Sequence, residues 1–126
     1  MTLLEPHDNP RRLPQAAARP ADLCWLLEEA AAMVFGVPPD ELRARSRCSA
    51  QVAFARQSAM YLAHVVLGLT YDEVGLLFRR HRTTAAHACR RVEDRRDDRE
   101  IDIRLDLLEG LCAEIFIGLF APRAAQ

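Results

Sequence analysis

A chain of 126 residues, half hydrophobic and 28% charged, is long enough for one domain with a small core. Its most apolar run, "GLCAEIFIGLF", is too short to cross a bilayer, and "MTLLEPHDNPRR" lacks the apolar centre of a signal peptide; a helical membrane protein is excluded and a cytoplasmic one expected. The net charge of -1 hides a basic middle: residues 43–91 carry 9 Arg against 2 acids, residues 1–42 carry 3 against 7, and residues 92–126 carry 5 against 9.

Every one of the 17 basic residues is arginine. Arginine suits bidentate phosphate and guanine contacts, although a GC-rich genome produces the same bias. Cys24, Cys48, Cys89 and Cys112 form no Cys-x-x-Cys pair. His7, His64, His81 and His87 have no zinc spacing. Reduced structural thiols are expected, with no metal and no cofactor.

Residues 1–19 contain Pro6, Pro10 and Pro14 and read as a flexible leader. The domain is expected over 20–120 and a short tail over 121–126. From Pro20, Leu23, Leu26, Leu27, Ala30 and Val34 recur at helical spacing, with Pro20 suited to the start and Gly36 to the stop. Trp25 reads as a core or flanking aromatic. Pro38 and Pro39 open a short helix that runs into a basic loop. Next, Val52, Ala55, Ala59, Leu62, Val66 and Leu69 form one stripe of a long helix ending near Gly68. Met60 reads as core, Tyr61 as flank and His64 as a surface or satisfied histidine.

Thr70 with Glu73 three residues later is a capping-box pattern. It opens a short helix with Val74, Leu77 and Phe78 on its buried face. After the turn "RRHR", a second helix begins at Arg82 or Thr83. Ala85, Ala88, Cys89 and Val92 lie on one side of it. Thr83, His87, Arg90, Arg91 and Asp94 lie on the other. This is a helix-turn-helix pattern. "DRRDDRE" then alternates in charge and reads as solvated. The last helix, over 101–120, turns Leu105, Leu108, Leu111, Cys112, Ile115, Phe116 and Leu119 to one face. Ile103, Leu107, Ile117 and Phe120 are left over. Burial against Trp25 and the first helix is one explanation of this all-round apolar helix, and a partner or self-association surface is the alternative.

Cations are locally unfavourable at a helix N-terminus, so Arg79, Arg80, His81 and Arg82 invite a negative ligand there. In a helix-turn-helix that end enters the major groove, where backbone N–H groups and arginines face phosphates. Thr83 and Thr84 suit phosphate or base edges. Cys89 near His87 lacks the third group and oxyanion donors that a nucleophile needs, so no enzyme is expected.

"ARQSAMYLA", "LTYDEVGLLF" and "HRTTAAHACRRVE" follow one another in an order that resembles the C-terminal DNA-binding domain of the bacterial replication initiator DnaA. The resemblance covers roughly residues 35–93. It implies an all-α domain with a central helix-turn-helix, of the Trp-repressor and initiator kind, flanked by N- and C-terminal helices. It implies double-stranded DNA as partner, at the nucleoid. It assigns Arg56 and Gln57 to the DNA surface, although the residues alone also fit a polar helix face. It matches Thr83 and Thr84 to base and phosphate contact, Arg80 to the turn arginine and His87 to the helix histidine.

This sequence departs from the pattern in three places. Arg79 stands where the family usually has two glycines, with one residue fewer. His81-Arg82 replaces an Asp-His pair, so an arginine takes the place of the base-reading histidine. The arginine sent into the minor groove falls at Cys48, with Arg45 or Arg47 as substitutes. No P-loop is present, so nucleotide binding and a complete initiator are not expected. The expected role is control of replication initiation. A transcription regulator is the alternative, as is an adaptor whose last helix binds a protein of the initiation machinery.

Overall fold

A computed structural model describes residues 19–44 and 49–120, with the side chains of 117–120 left aside. Residues 1–18 of the proposed leader, Arg45, Arg47, Cys48 and the tail lie outside the described residues. The described chain is helical: α1 (Pro20–Phe35), α2 (Pro39–Arg43), α3 (Ala50–Val65), α4 (Tyr71–Phe78), α5 (Arg82–Arg95) and α6 (Arg99–Phe120).

Each boundary has a local cause. Pro20 opens α1, where its missing N–H costs nothing. Gly36 closes α1 in the left-handed conformation, φ 67°, and the Val37 N–H donates back to the Ala32 carbonyl at 3.0 Å. Ser49 caps α3 by accepting from the Val52 N–H. Thr70 and Glu73 form the expected capping box on α4, at 3.2 and 2.9 Å. Asp98 accepts from the Glu100 N–H at the start of α6.

The core is built around α3, which packs against α1, α2, α4, α5 and α6. The predicted stripe is buried at Val52, Ala55, Ala59, Leu62 and Leu69; Val66 is half-buried. Phe54 meets Phe35 of α1 edge to face, with ring centroids 5.4 Å apart. Of the two readings of His64, the satisfied one holds: Nδ1 lies 2.8 Å from the Leu69 carbonyl oxygen and the ring stacks on Tyr71.

The long last helix packs against α1 and buries Leu105, Leu108, Cys112 and Phe116. Trp25 is a flanking aromatic and not part of the core. That indole is 52% exposed, with the Arg43 guanidinium 5.5 Å from the ring centroid. Ile103 and Leu107 remain outside the core.

A second correction concerns "DRRDDRE". Arg96 is not solvated; only 18% of its side chain is exposed. It bonds Asp102 at 2.7 Å, Glu109 at 2.9 Å, Asp106, and the Tyr61 hydroxyl at 3.2 Å. The Tyr61 hydroxyl in turn donates to Glu93 at 3.1 Å. Charge alternation is a pattern within one segment. The carboxylates that draw Arg96 inward come from α6, and the phenol from α3.

Candidate nucleic-acid interface

The turn between α4 and α5 is shaped by two residues. Arg79 follows α4 at φ 59°, the one non-glycine positive φ among the described residues. The Arg80 N–H then donates to the Gly75 carbonyl at 2.8 Å, which closes the helix end. Gly75 faces the returning chain so closely that a Cβ there would lie 2.7 Å from the Arg80 carbonyl oxygen. A bare backbone at 75 therefore lets α5 start directly beside α4.

His81 caps α5. Its Nδ1 accepts from the Thr83 N–H at 3.2 Å and lies 2.9 Å from the Thr83 hydroxyl oxygen. Its carbonyl accepts from the Thr84 and Ala85 N–H groups. Ala85, Ala88, Cys89 and Val92 are buried, as their spacing predicts. Small side chains there bring α5 close to α3 and α4. The other face presents Thr83, Thr84, His87, Arg90 and Arg91, all exposed. Cys89 and His87 thus sit on opposite faces of α5, and burial pushes the Cys89 thiol up to about 12; the two do not form a nucleophile and base.

The turn cations are placed unequally. Arg79 is exposed and Arg80 half-buried. Arg82, the first residue of α5, donates from Nε to Asp72 Oδ1 at 2.8 Å, with both side chains more than half exposed. Arg56 and Gln57 lie on α3, and both are half-buried. Arg56 donates from Nε to the Leu42 carbonyl and from Nη2 to the Ala44 carbonyl, each at 2.9 Å. These are carbonyls that the end of α2 leaves without helical partners. Arg43 is also turned inward, to Glu28 at 2.9 Å and Glu29 at 3.0 Å. A cleft of about 340 Å³ runs between α1, α3 and the turn, with Trp25, Arg43, Arg56, Arg79 and Arg80 on its walls.

Sequence reasoning missed Asp72 as a neighbour of Arg82. The signal was present: an acid in the first turn of one helix and a cation in the first turn of the next. It could be joined only once the turn was known. Among the described residues no group of three or more His, Cys, Asp or Glu is placed to hold a metal. No described helix is long and apolar enough to cross a membrane.

Comparison with known proteins agrees with this geometry. The chain is similar over 82 residues, at 33% identity, to the chromosomal replication initiator protein DnaA 1 of Chlamydia muridarum, covering 64% of this chain and 18% of that protein. It is 34% identical over 61 residues to the DnaA protein of Pseudothermotoga lettingae, covering 48% and 14%. It is 34% identical over 76 residues to DnaA 1 of Chlamydia trachomatis, covering 59% and 16%. The chain thus spans less than a fifth of the length of these relatives. The family model of the bacterial DnaA protein helix-turn-helix matches residues 26–92. That stretch holds α2 to α4, most of α1 and most of α5, and the chain belongs to the bacterial DnaA helix-turn-helix family.

Proposed function

We propose that this chain binds double-stranded DNA with α5 in the major groove and acts in the control of replication initiation. One observation carries the reading: a DnaA-type helix-turn-helix whose second helix exposes Thr83, Thr84, His87, Arg90 and Arg91 together. The turn arginines meet phosphate, and Thr83, Thr84 and Arg82 meet base edges. Arg56 supports the site from behind, by holding the end of α2. No catalytic step, nucleotide or metal enters this role, and the place of action is the nucleoid.

Fluorescence anisotropy with random duplex DNA and an initiator-box duplex at two salt concentrations tests it. Binding that weakens steeply with salt is expected. Arg90→Ala and Arg91→Ala should each lower the salt slope by about one, on every sequence alike. Salt-independent binding, or none, refutes the reading.

A second reading rests on Ile103, 55% exposed, and Leu107, 63% exposed, one turn apart on α6. This apolar pair supports an adaptor role toward a protein of the initiation machinery. Replacing both by Ser should abolish partner capture and leave DNA affinity alone. Capture unchanged by that double substitution removes the adaptor reading.

A further inference from the structure

We infer that Asp72 is a specificity-determining residue, a buttress that aims the Arg82 guanidinium at a guanine in the bound site. The inference rests on the DNA-binding reading above. Asp72 lies in the first turn of α4 and Arg82 in the first turn of α5. The helix-turn-helix brings these two N-terminal turns together, and Arg82 Nε donates to Asp72 Oδ1 at 2.8 Å.

The atom that is bonded matters. An arginine has five N–H donors, one on Nε and four on its two Nη atoms. Asp72 takes the Nε donor and leaves the Nη end of the fork free of that bond. Two parallel N–H donors at that end match the O6 and N7 acceptors of guanine. A long side chain normally loses rotamer freedom when it grips a base. A carboxylate that already holds the side of the guanidinium removes part of that loss, and it fixes the plane of the fork.

Charge gives the pair a distinctive signature. The helix field disfavours a cation at the start of α5 and favours an acid at the start of α4, so Asp72 is well placed to hold Arg82. Yet a carboxylate on a DNA-facing surface repels phosphate. Asp72 therefore lowers affinity for DNA in general while raising discrimination at one base pair. A residue that served only stability would not move these two quantities in opposite directions.

The experiment uses the full chain. Preferred duplexes are selected from a randomised pool, and binding is followed by anisotropy with guanine or 7-deazaguanine at each fixed guanine. The 7-deaza base lacks the N7 acceptor. At one position the substitution should weaken the native protein about tenfold. Arg82→Ala should show no loss at that position. Arg82→Lys keeps the charge but not the Nε donor that Asp72 holds, so it should keep the salt slope while its 7-deaza effect no longer responds to Asp72→Asn. Asp72→Asn should bind random duplex at least as tightly as the native protein while its 7-deaza effect falls to about threefold or less. Both side chains are exposed, so folded variants are expected, and Asp72→Ala serves as a second test. A full tenfold effect in both Asp72 variants overturns the buttress. Loss of the effect at no position in Arg82→Ala overturns the guanine contact. A native protein that binds no duplex at all sinks the DNA-binding reading itself.

Discussion

The Arg56 guanidinium donates to the Leu42 carbonyl at 2.9 Å, tying the first half of α3 to the last turn of α2. Its other donors reach Ala44 and, at the longer distance of 3.5 Å, Glu41. One charged side chain thus serves as the C-terminal cap of a five-residue helix that has little stability of its own. Arg56→Ala should destabilise the fold by about 1–2 kcal/mol, because partly buried carbonyls lose a charged donor. Urea denaturation checks this. If stability is unchanged while DNA affinity falls, Arg56 is a DNA contact rather than a cap.

Arg96 offers a larger effect. Its four bonded partners come from α3 and α6, and α5 ends at the neighbouring Arg95. Arg96→Ala should cost about 3 kcal/mol, since it leaves Asp102, Asp106 and Glu109 crowded without their cation. Tyr61→Phe should cost about 1 kcal/mol through the lost bonds to Glu93 and Arg96. Thermal or denaturant melts of both variants and of the double variant measure the coupling. Additive losses would show that the two residues act separately.

The turn gives two substitutions of opposite sign. Arg79 holds a left-handed backbone that costs a residue with a Cβ about 1 kcal/mol or more. Arg79→Gly should therefore stabilise the fold by about 1 kcal/mol while weakening DNA binding through the lost cation. Gly75→Ala should destabilise by about 2 kcal/mol, since its Cβ meets backbone that cannot swing aside. Calorimetry beside a binding titration separates the effects. A destabilised Arg79→Gly would mean that the arginine side chain does more for the turn than its backbone costs.

The thiols predict a pH dependence. Burial pushes Cys24, Cys89 and Cys112 up from an ordinary value near 9 to about 12. The folded protein holds these thiols neutral where the unfolded chain would ionise them. Stability is accordingly intact below pH 9 and falls as pH rises from there toward 12. Denaturation midpoints at about pH 8 and about pH 10.5 should differ in that direction. In a Cys48→Ser background, a thiol reagent at about pH 8 should react slowly until the chain is unfolded. Rapid labelling of the folded protein contradicts this.

The parts of the fold that follow from local rules were legible in the sequence. The alternation of small apolar and polar residues in α5 fixed both its faces, and Thr70 with Glu73 fixed the start of α4. The helix-turn-helix and its family followed from motifs in order. What stayed hidden depends on distant partners. Nothing near Arg96 in the chain announces Tyr61, and nothing near Arg56 announces that α2 ends against it. Both arginines look like surface charge because sequence pattern records the polarity of a residue and not the direction of its side chain. Trp25 was open between core and flank, and it is the flanking one: a large apolar ring can stay half exposed when an arginine covers part of it.

The alanines buried along α3 and α5 have a wider consequence. Ala55, Ala59, Ala63, Ala85 and Ala88 carry no rotatable side chain and sit at 0 or 1% exposure. A contact made through methyl groups has no alternative packing to slip into. The second helix of the motif is therefore held like a tooth on a key blank, unable to shift toward an ill-fitting lock. If α5 reads bases as proposed, a mismatched pair is met at the groove, since a methyl-lined scaffold offers few rotamers with which to repack behind it.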